Sequence, residues 1–125
     1  MFIADACALL AYFGSGEAPM TEAGRQAMRG DVLVSPITVW ELTRKAATGK
    51  LPPLPAERGS FARHLVSLGF RDIPLLWGDA EAANALPAHH RDPMDRMLIA
   101  TALRADLTII TNDGLFPAYG VRTIW

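Results

Sequence analysis

Four acidic residues stand where a carboxylate has chemistry open to it: Asp5, Glu41, Asp95 and Asp113. Asp5 directly follows an apolar opening, residues 1–4, that reads as a short buried strand. Asp113 lies two residues beyond 107–111, a β-branched run and the clearest strand in the chain. Asp95 falls in the first turn of a helix opened by Asp92-Pro93. Leu98, Ile99 and Ala102 follow it at i+3, i+4 and i+7, which puts its carboxylate on a core-directed face. Glu41 sits in the second turn of a helix capped by Ser35, four residues past Ile37. A buried, unpaired carboxylate must be protonated, hydrogen-bonded, ion-paired or bound to a cation. Should the four meet, at least one pKa rises unless divalent cations neutralise them, and hard oxygen ligands select Mg²⁺ or Mn²⁺ over zinc.

Each acid also has a role that needs no chemistry. Asp5 can cap the helix that follows it, and Asp113 can close an Asx turn in Asn112-Asp113-Gly114. Glu41 can pair with Lys45 at i+4, and Asp92 suits an N-cap before Pro93 with Arg96 at i+4. Spacing along the chain does not show convergence; the order of elements brings it closer. Strands are expected at residues 1–4, 32–34, within 70–76, 107–111 and 121–124. Helices are expected at 6–13, 21–29, 36–48, 56–68, 79–86 and 93–105. Ser35-Pro36 is a helix start, because the hydroxyl satisfies an orphan N–H and proline at the first position lacks one. Residues 49–55 hold three prolines and form a stiff connector. Strands alternating with helices imply an α/β domain with a mainly parallel central sheet covered on both faces. Ligands bind such sheets at the carboxyl ends of the strands, which is where Asp5 and Asp113 fall.

Bulk properties narrow the classes. The chain has 125 residues, half of them apolar and a fifth charged, enough for one domain with a real core and against disorder. Residues 6–16 form the longest uncharged stretch, well short of the roughly 20 residues needed to span a bilayer. The first basic side chain is Arg25, so no secretory signal is read and a cytoplasmic location is expected. One cysteine, Cys7, excludes an internal disulfide and a structural zinc site. Net charge is −1, yet Arg44, Lys45, Lys50, Arg58 and Arg63 share residues 44–63 with a single acid, Glu57. That local excess suits phosphates beside a metal or a solvated helix surface. Arg44, Lys45 and Arg96 are the candidate phosphate contacts. His89-His90 reads as a polar loop, since adjacent histidines diverge on any regular element, and a metal-independent acid–base pair is not expected there.

Taken together, Asp5 in MFIADACALLAYF, Glu41 in SPITVWELTRKAATGKLPPLP, Asp95 in HHRDPMDRMLIATAL and Asp113 in LTIITNDGLF resemble the PIN-domain ribonucleases, specifically the VapC-type toxins of bacterial toxin–antitoxin pairs. The resemblance covers nearly the whole chain, in four segments in the right order. It implies a single PIN-like three-layer α/β/α domain over residues 1–125. It also implies a catalytic acidic quartet of Asp5, Glu41, Asp95 and Asp113 holding Mg²⁺ or Mn²⁺, with Thr111 orienting Asp113 or a water. The implied activity is hydrolysis of RNA phosphodiester bonds leaving 3′-hydroxyl and 5′-phosphate ends, with a cognate antitoxin and a homodimer as partners. Trp77, Phe116 and Trp125, large apolar residues without an evident core position, agree with self-association. Family members commonly carry hydroxyls after the first acid, where this chain has Ala6 and Cys7. Two other functions share these features: a PIN-like module that binds RNA or protein without cutting, and a non-toxin nuclease of RNA maturation.

Overall fold

The computed structural model describes residues 1–16 and 18–125. In chain order the elements are β1 (Phe2–Ala4), α1 (Ala6–Tyr12), α2 (Glu22–Met28), β2 (Val32–Val34), α3 (Pro36–Ala47), α4 (Phe61–Ser67), β3 (Arg71–Asp72), α5 (Trp77–Ala85), α6 (Pro93–Arg104) and β4 (Thr108–Ile110), followed by a 3₁₀ turn (Phe116–Tyr119) and β5 (Thr123–Ile124). The strands form one sheet in the order β3-β2-β1-β4-β5, and every pairing is parallel. From β1 the chain steps outward to β2 and β3, then returns to the other side for β4. The order therefore reverses at β1, and a crevice opens at the carboxyl ends of β1 and β4.

Period-2 alternation divides the apolar side chains between two layers. Ala4, Val32, Val34 and Ile110 face one core with Leu9 of α1, Met28 of α2, Leu42 of α3 and Phe61 of α4. Ile3, Leu33 and Ile109 face the other, with Leu98, Ile99 and Ala102 of α6. The expected α/β architecture, with a sheet covered on both faces, is the one observed. Phe116 belongs to this second core and is almost fully buried, so it is no surface residue. Trp125 is half-buried, packs against the first core and donates its indole N–H to the Pro19 carbonyl at 3.0 Å. Of the three large apolar residues, Trp77 alone is open to solvent, at 92% exposure.

Helix α4 begins at Phe61, five residues later than periodicity places it. Arg58 and Gly59 both take positive φ angles, 49° and 77°, and a turn closes between Glu57 and Ser60 before Ser60 caps the helix. The strand expected within 70–76 contracts to two exposed residues at the sheet edge, with Phe70 and Ile73 buried beside them. No helix among the described residues is long and apolar enough to cross a membrane.

Candidate functional site

The site is assembled by strand ends and helix caps. Asp5 leaves β1 and caps α1, its Oδ1 accepting the Ala8 N–H at 2.7 Å. Asp113 follows β4 and closes a turn, its Oδ1 accepting the Leu115 N–H at 2.9 Å. Asp92 caps α6 through its Oδ1, with Met94 N–H at 2.8 Å and Asp95 N–H at 3.3 Å, so its role here is structural. For Asp5 and Asp113 the cap and turn roles are real, but each uses Oδ1 to orient the group toward the crevice.

Asp95 and Asp113 come together, and a histidine joins them. The Nε2 of His90 lies 3.1 Å from Asp95 Oδ2 and 2.9 Å from Asp113 Oδ2. These three residues each present a polar atom within 4.8 Å of the others, and the two carboxylates among them are oxygen donors that fit a divalent cation. Asp5 and Glu41 stand outside that tight group, close enough for their charges to bear on it. Glu41 is ion-paired to Lys45 at 3.1 Å, the i+4 contact that its spacing allows.

The electrostatics are those of carboxylates packed without enough positive charge. Burial pushes the Asp5 carboxyl up to about 6; hydrogen bonds from Thr111 and Ala8 oppose the rise, and the charges of Glu41 and Asp113 add to it. Burial also raises Asp95, to about 7, with the charge of Asp92 acting in the same direction, His90 opposing, and Glu41 and Asp5 adding further. Among the described residues no lysine or arginine forms an ion pair with Asp5, Asp95 or Asp113. Thr111 is buried and links the two strand-end acids. Its oxygen accepts the Asp113 N–H at 3.0 Å, and its hydroxyl is placed to favour the charged form of Asp5. The hydroxyl missing at Ala6 thus reaches Asp5 from the neighbouring strand. Cys7 is exposed, yet desolvation beside the crevice and the charges of Asp5, Asp95 and Glu41, against Lys45, push its thiol up to about 11, which leaves it protonated at neutral pH.

One of the three candidate phosphate contacts departs from the sequence reading. Arg96 is turned inward as a clamp. Its guanidinium donates to the carbonyls of Ala83 (2.8 Å), Leu86 (2.7 Å), Pro87 (2.9 Å) and His90 (3.2 Å), so it is not free to contact an RNA phosphate. Lys45 is held by Glu41, while Arg44 is exposed and lies over the Trp40 ring at 5.3 Å. A cleft of about 390 Å³ lined by Cys7, Lys45, Lys50, Asn112 and Trp125, among others, runs beside the strand ends that carry Asp5 and Asp113. His90 is the site residue that sequence reasoning missed. It belongs to a loop, where no periodicity points inward; the available signal was its place just ahead of the Asp92-Pro93 cap that starts the helix of Asp95.

Comparison with known proteins bears on this arrangement. A family model for the PIN domain matches residues 2–121. No curated protein matches the sequence. Among solved structures, the chain is similar to FitAcB from Neisseria gonorrhoeae, with 21% identity and a TM-score of 0.68 over 100% of this chain and 97% of that one. It is similar to a toxin-antitoxin complex from Klebsiella pneumoniae, with 21% identity and a TM-score of 0.62 over 90% of this chain and 87% of that one. A third is the Mycobacterium tuberculosis protein VapC20, a Sarcin-Ricin loop cleaving toxin, with 16% identity and a TM-score of 0.67 over 97% of this chain and 96% of that one. At these identities the likeness to each solved structure is one of fold.

Proposed function

The chain belongs to the PIN domain family, and on that premise we propose that residues 1–125 act as a single-domain, Mg²⁺- or Mn²⁺-dependent endoribonuclease, the toxin of a toxin–antitoxin pair. The observation that carries this reading is the crevice in which buried Asp5 and half-buried Asp95 are raised to about 6 and about 7 while no lysine or arginine among the described residues pairs with them. Carboxylates left in that state repel an RNA phosphate, and the same carboxylates around a divalent cation attract one.

In this reading Asp5, Asp95 and Asp113 hold the cation, and Glu41 adds charge from α3 with Lys45 on its outer side. A bound Mg²⁺ or Mn²⁺ supplies an acidified water and stabilises charge on the attacking and leaving oxygens of a phosphodiester. The chain's own residues set the geometry. Thr111 fixes Asp5 against Asp113, and the Asp92 cap and Arg96 clamp fix the start of α6. Arg44 and Lys45 remain the candidate phosphate contacts, and Lys50 joins them from the adjoining cleft. RNA is favoured as substrate by the similar Sarcin-Ricin loop cleaving toxin, and an antitoxin partner by the similar toxin-antitoxin complex. A cytoplasmic location follows from that role, and the solvent-open Trp77 supports a homodimer.

The test is cleavage of total bacterial RNA by the purified chain in Mn²⁺, beside EDTA and Asp5→Asn controls. Discrete products seen only with metal and wild-type protein are expected. Cleavage unaffected by EDTA would remove the quartet from catalysis, and no cleavage would favour a binding module.

A further inference from the structure

His90 is restrained from four directions. Its backbone N–H donates to the Tyr119 hydroxyl at 2.6 Å, its carbonyl accepts from Arg96 at 3.2 Å, and its ring stands edge-on to buried Phe116 with centroids 5.7 Å apart. The fourth restraint sets its chemistry: Nδ1 accepts the Asp92 N–H at 3.1 Å. An imidazole whose Nδ1 lone pair is used in this way carries its proton on Nε2. That N–H points between Asp95 and Asp113, with only 12% of the side chain exposed. A protonated Nε2 has no lone pair for a cation, so the geometry is that of a donor to the ligands.

We infer that His90 is a positioning residue of the acidic site, whose Nε2–H ties Asp95 to Asp113 and sets the spacing at which the two carboxylates receive a divalent cation. This inference rests on the metal-site reading above. It assigns work to a loop residue outside the quartet. Asp95 comes from a helix start and Asp113 from a strand end, and no direct contact joins the two carboxylates. Without a shared donor their mutual repulsion would spread them. Partners that hydrogen-bond metal-binding carboxylates commonly contribute one to two orders of magnitude to metal affinity.

The experiment is calorimetric titration of Mn²⁺ into the full chain as wild type, His90→Ala and His90→Gln, with thermal melts to confirm folding. Affinity should fall about 10- to 100-fold in His90→Ala. It should return most of the way in His90→Gln, whose amide places an N–H near the same point. If His90→Ala does not fold, His90→Phe replaces it, keeping a ring against Phe116 without the donor. Magnetic resonance of bound Mn²⁺ in the wild type should show no directly coordinated nitrogen. Unchanged or tighter binding in the donor-less variant overturns the inference, as does failure of Gln to rescue. Direct nitrogen coordination also overturns it, by making His90 a ligand. Absence of Mn²⁺ binding by the wild type is a different failure, which removes the metal-site reading and this inference with it.

Discussion

The two ends of α6 treat desolvated carboxylates in opposite ways. Near its C-terminus, Arg104 reaches Asp79 with contacts of 2.6 and 3.0 Å, and Asp79 also accepts the Leu76 N–H at 3.0 Å. Burial raises the Asp79 carboxyl, but hydrogen bonds from Arg104, Leu76 and Thr101 outweigh it and hold the group below the usual range. About 14 Å away along the helix axis, Asp95 has a histidine and three other acids for company and is pushed up to about 7. This chain neutralises a buried acid with arginine where the fold alone needs it. Leaving Asp5 and Asp95 raised in the crevice therefore points to a positive charge that the protein does not carry itself.

The largest way to break the contrast is at the crevice. Asp95→Asn, and separately Asp5→Asn, should reduce metal-dependent RNA cleavage to background while the circular dichroism spectrum stays that of wild type. Full activity in either folded variant removes that residue from the site. At the other end, Arg104→Met strands a carboxylate that is 2% exposed. A loss of about 2–3 kcal/mol is expected in urea unfolding, less than the roughly 3–5 kcal/mol of a fully buried pair because Arg104 is partly solvated. A change within about 0.5 kcal/mol would mean that Asp79 is held by its backbone and threonine contacts alone.

The sign should reverse for Asp95→Asn in metal-free protein. Asp5 and Asp95 bind protons more tightly folded than unfolded, so their contribution is fully present below about pH 4. It is lost as pH rises through about 6 and about 7. Asp79, held low, behaves inversely: its contribution is present above about pH 4 and lost as pH falls below that. Melting curves in EDTA from pH 4 to 8 should show stability falling with pH in the wild type. Asp95→Asn should flatten the fall and gain about 1–2 kcal/mol at pH 7. A variant that follows the wild-type curve would show Asp95 to be compensated after all. The smallest effect concerns RNA binding: Arg44→Ala with Lys45→Ala should flatten its salt dependence by about 0.7 in log–log slope for each phosphate no longer neutralised. An unchanged slope returns both residues to the solvated surface.

What could be read from sequence was whatever rests on local physics. Caps at Ser35 and Asp92, each followed by proline, start α3 and α6 where expected, and β-branched runs mark β2 and β4. Those same signals put Asp5 and Asp113 at strand ends and Asp95 at a helix start. Long-range contacts set what was missed. Arg96 turns inward because four carbonyls between residues 83 and 90 gather around it, and His90 enters the crevice because Tyr119, 29 residues away, holds its backbone. The late start of α4 was a local failure: periodicity at Phe61 and Leu65 concealed the turn at Arg58-Gly59.

The central claim is that the crevice lacks compensating positive charge and that a divalent cation supplies it. The direct test is the melting temperature of wild type and Asp95→Asn at pH 7.5, each with EDTA and with saturating Mn²⁺. At a hundred times its dissociation constant a cation adds about 2.7 kcal/mol, so the wild type should gain several degrees and Asp95→Asn almost none. Equal gains in both proteins, or none in either, would contradict the account.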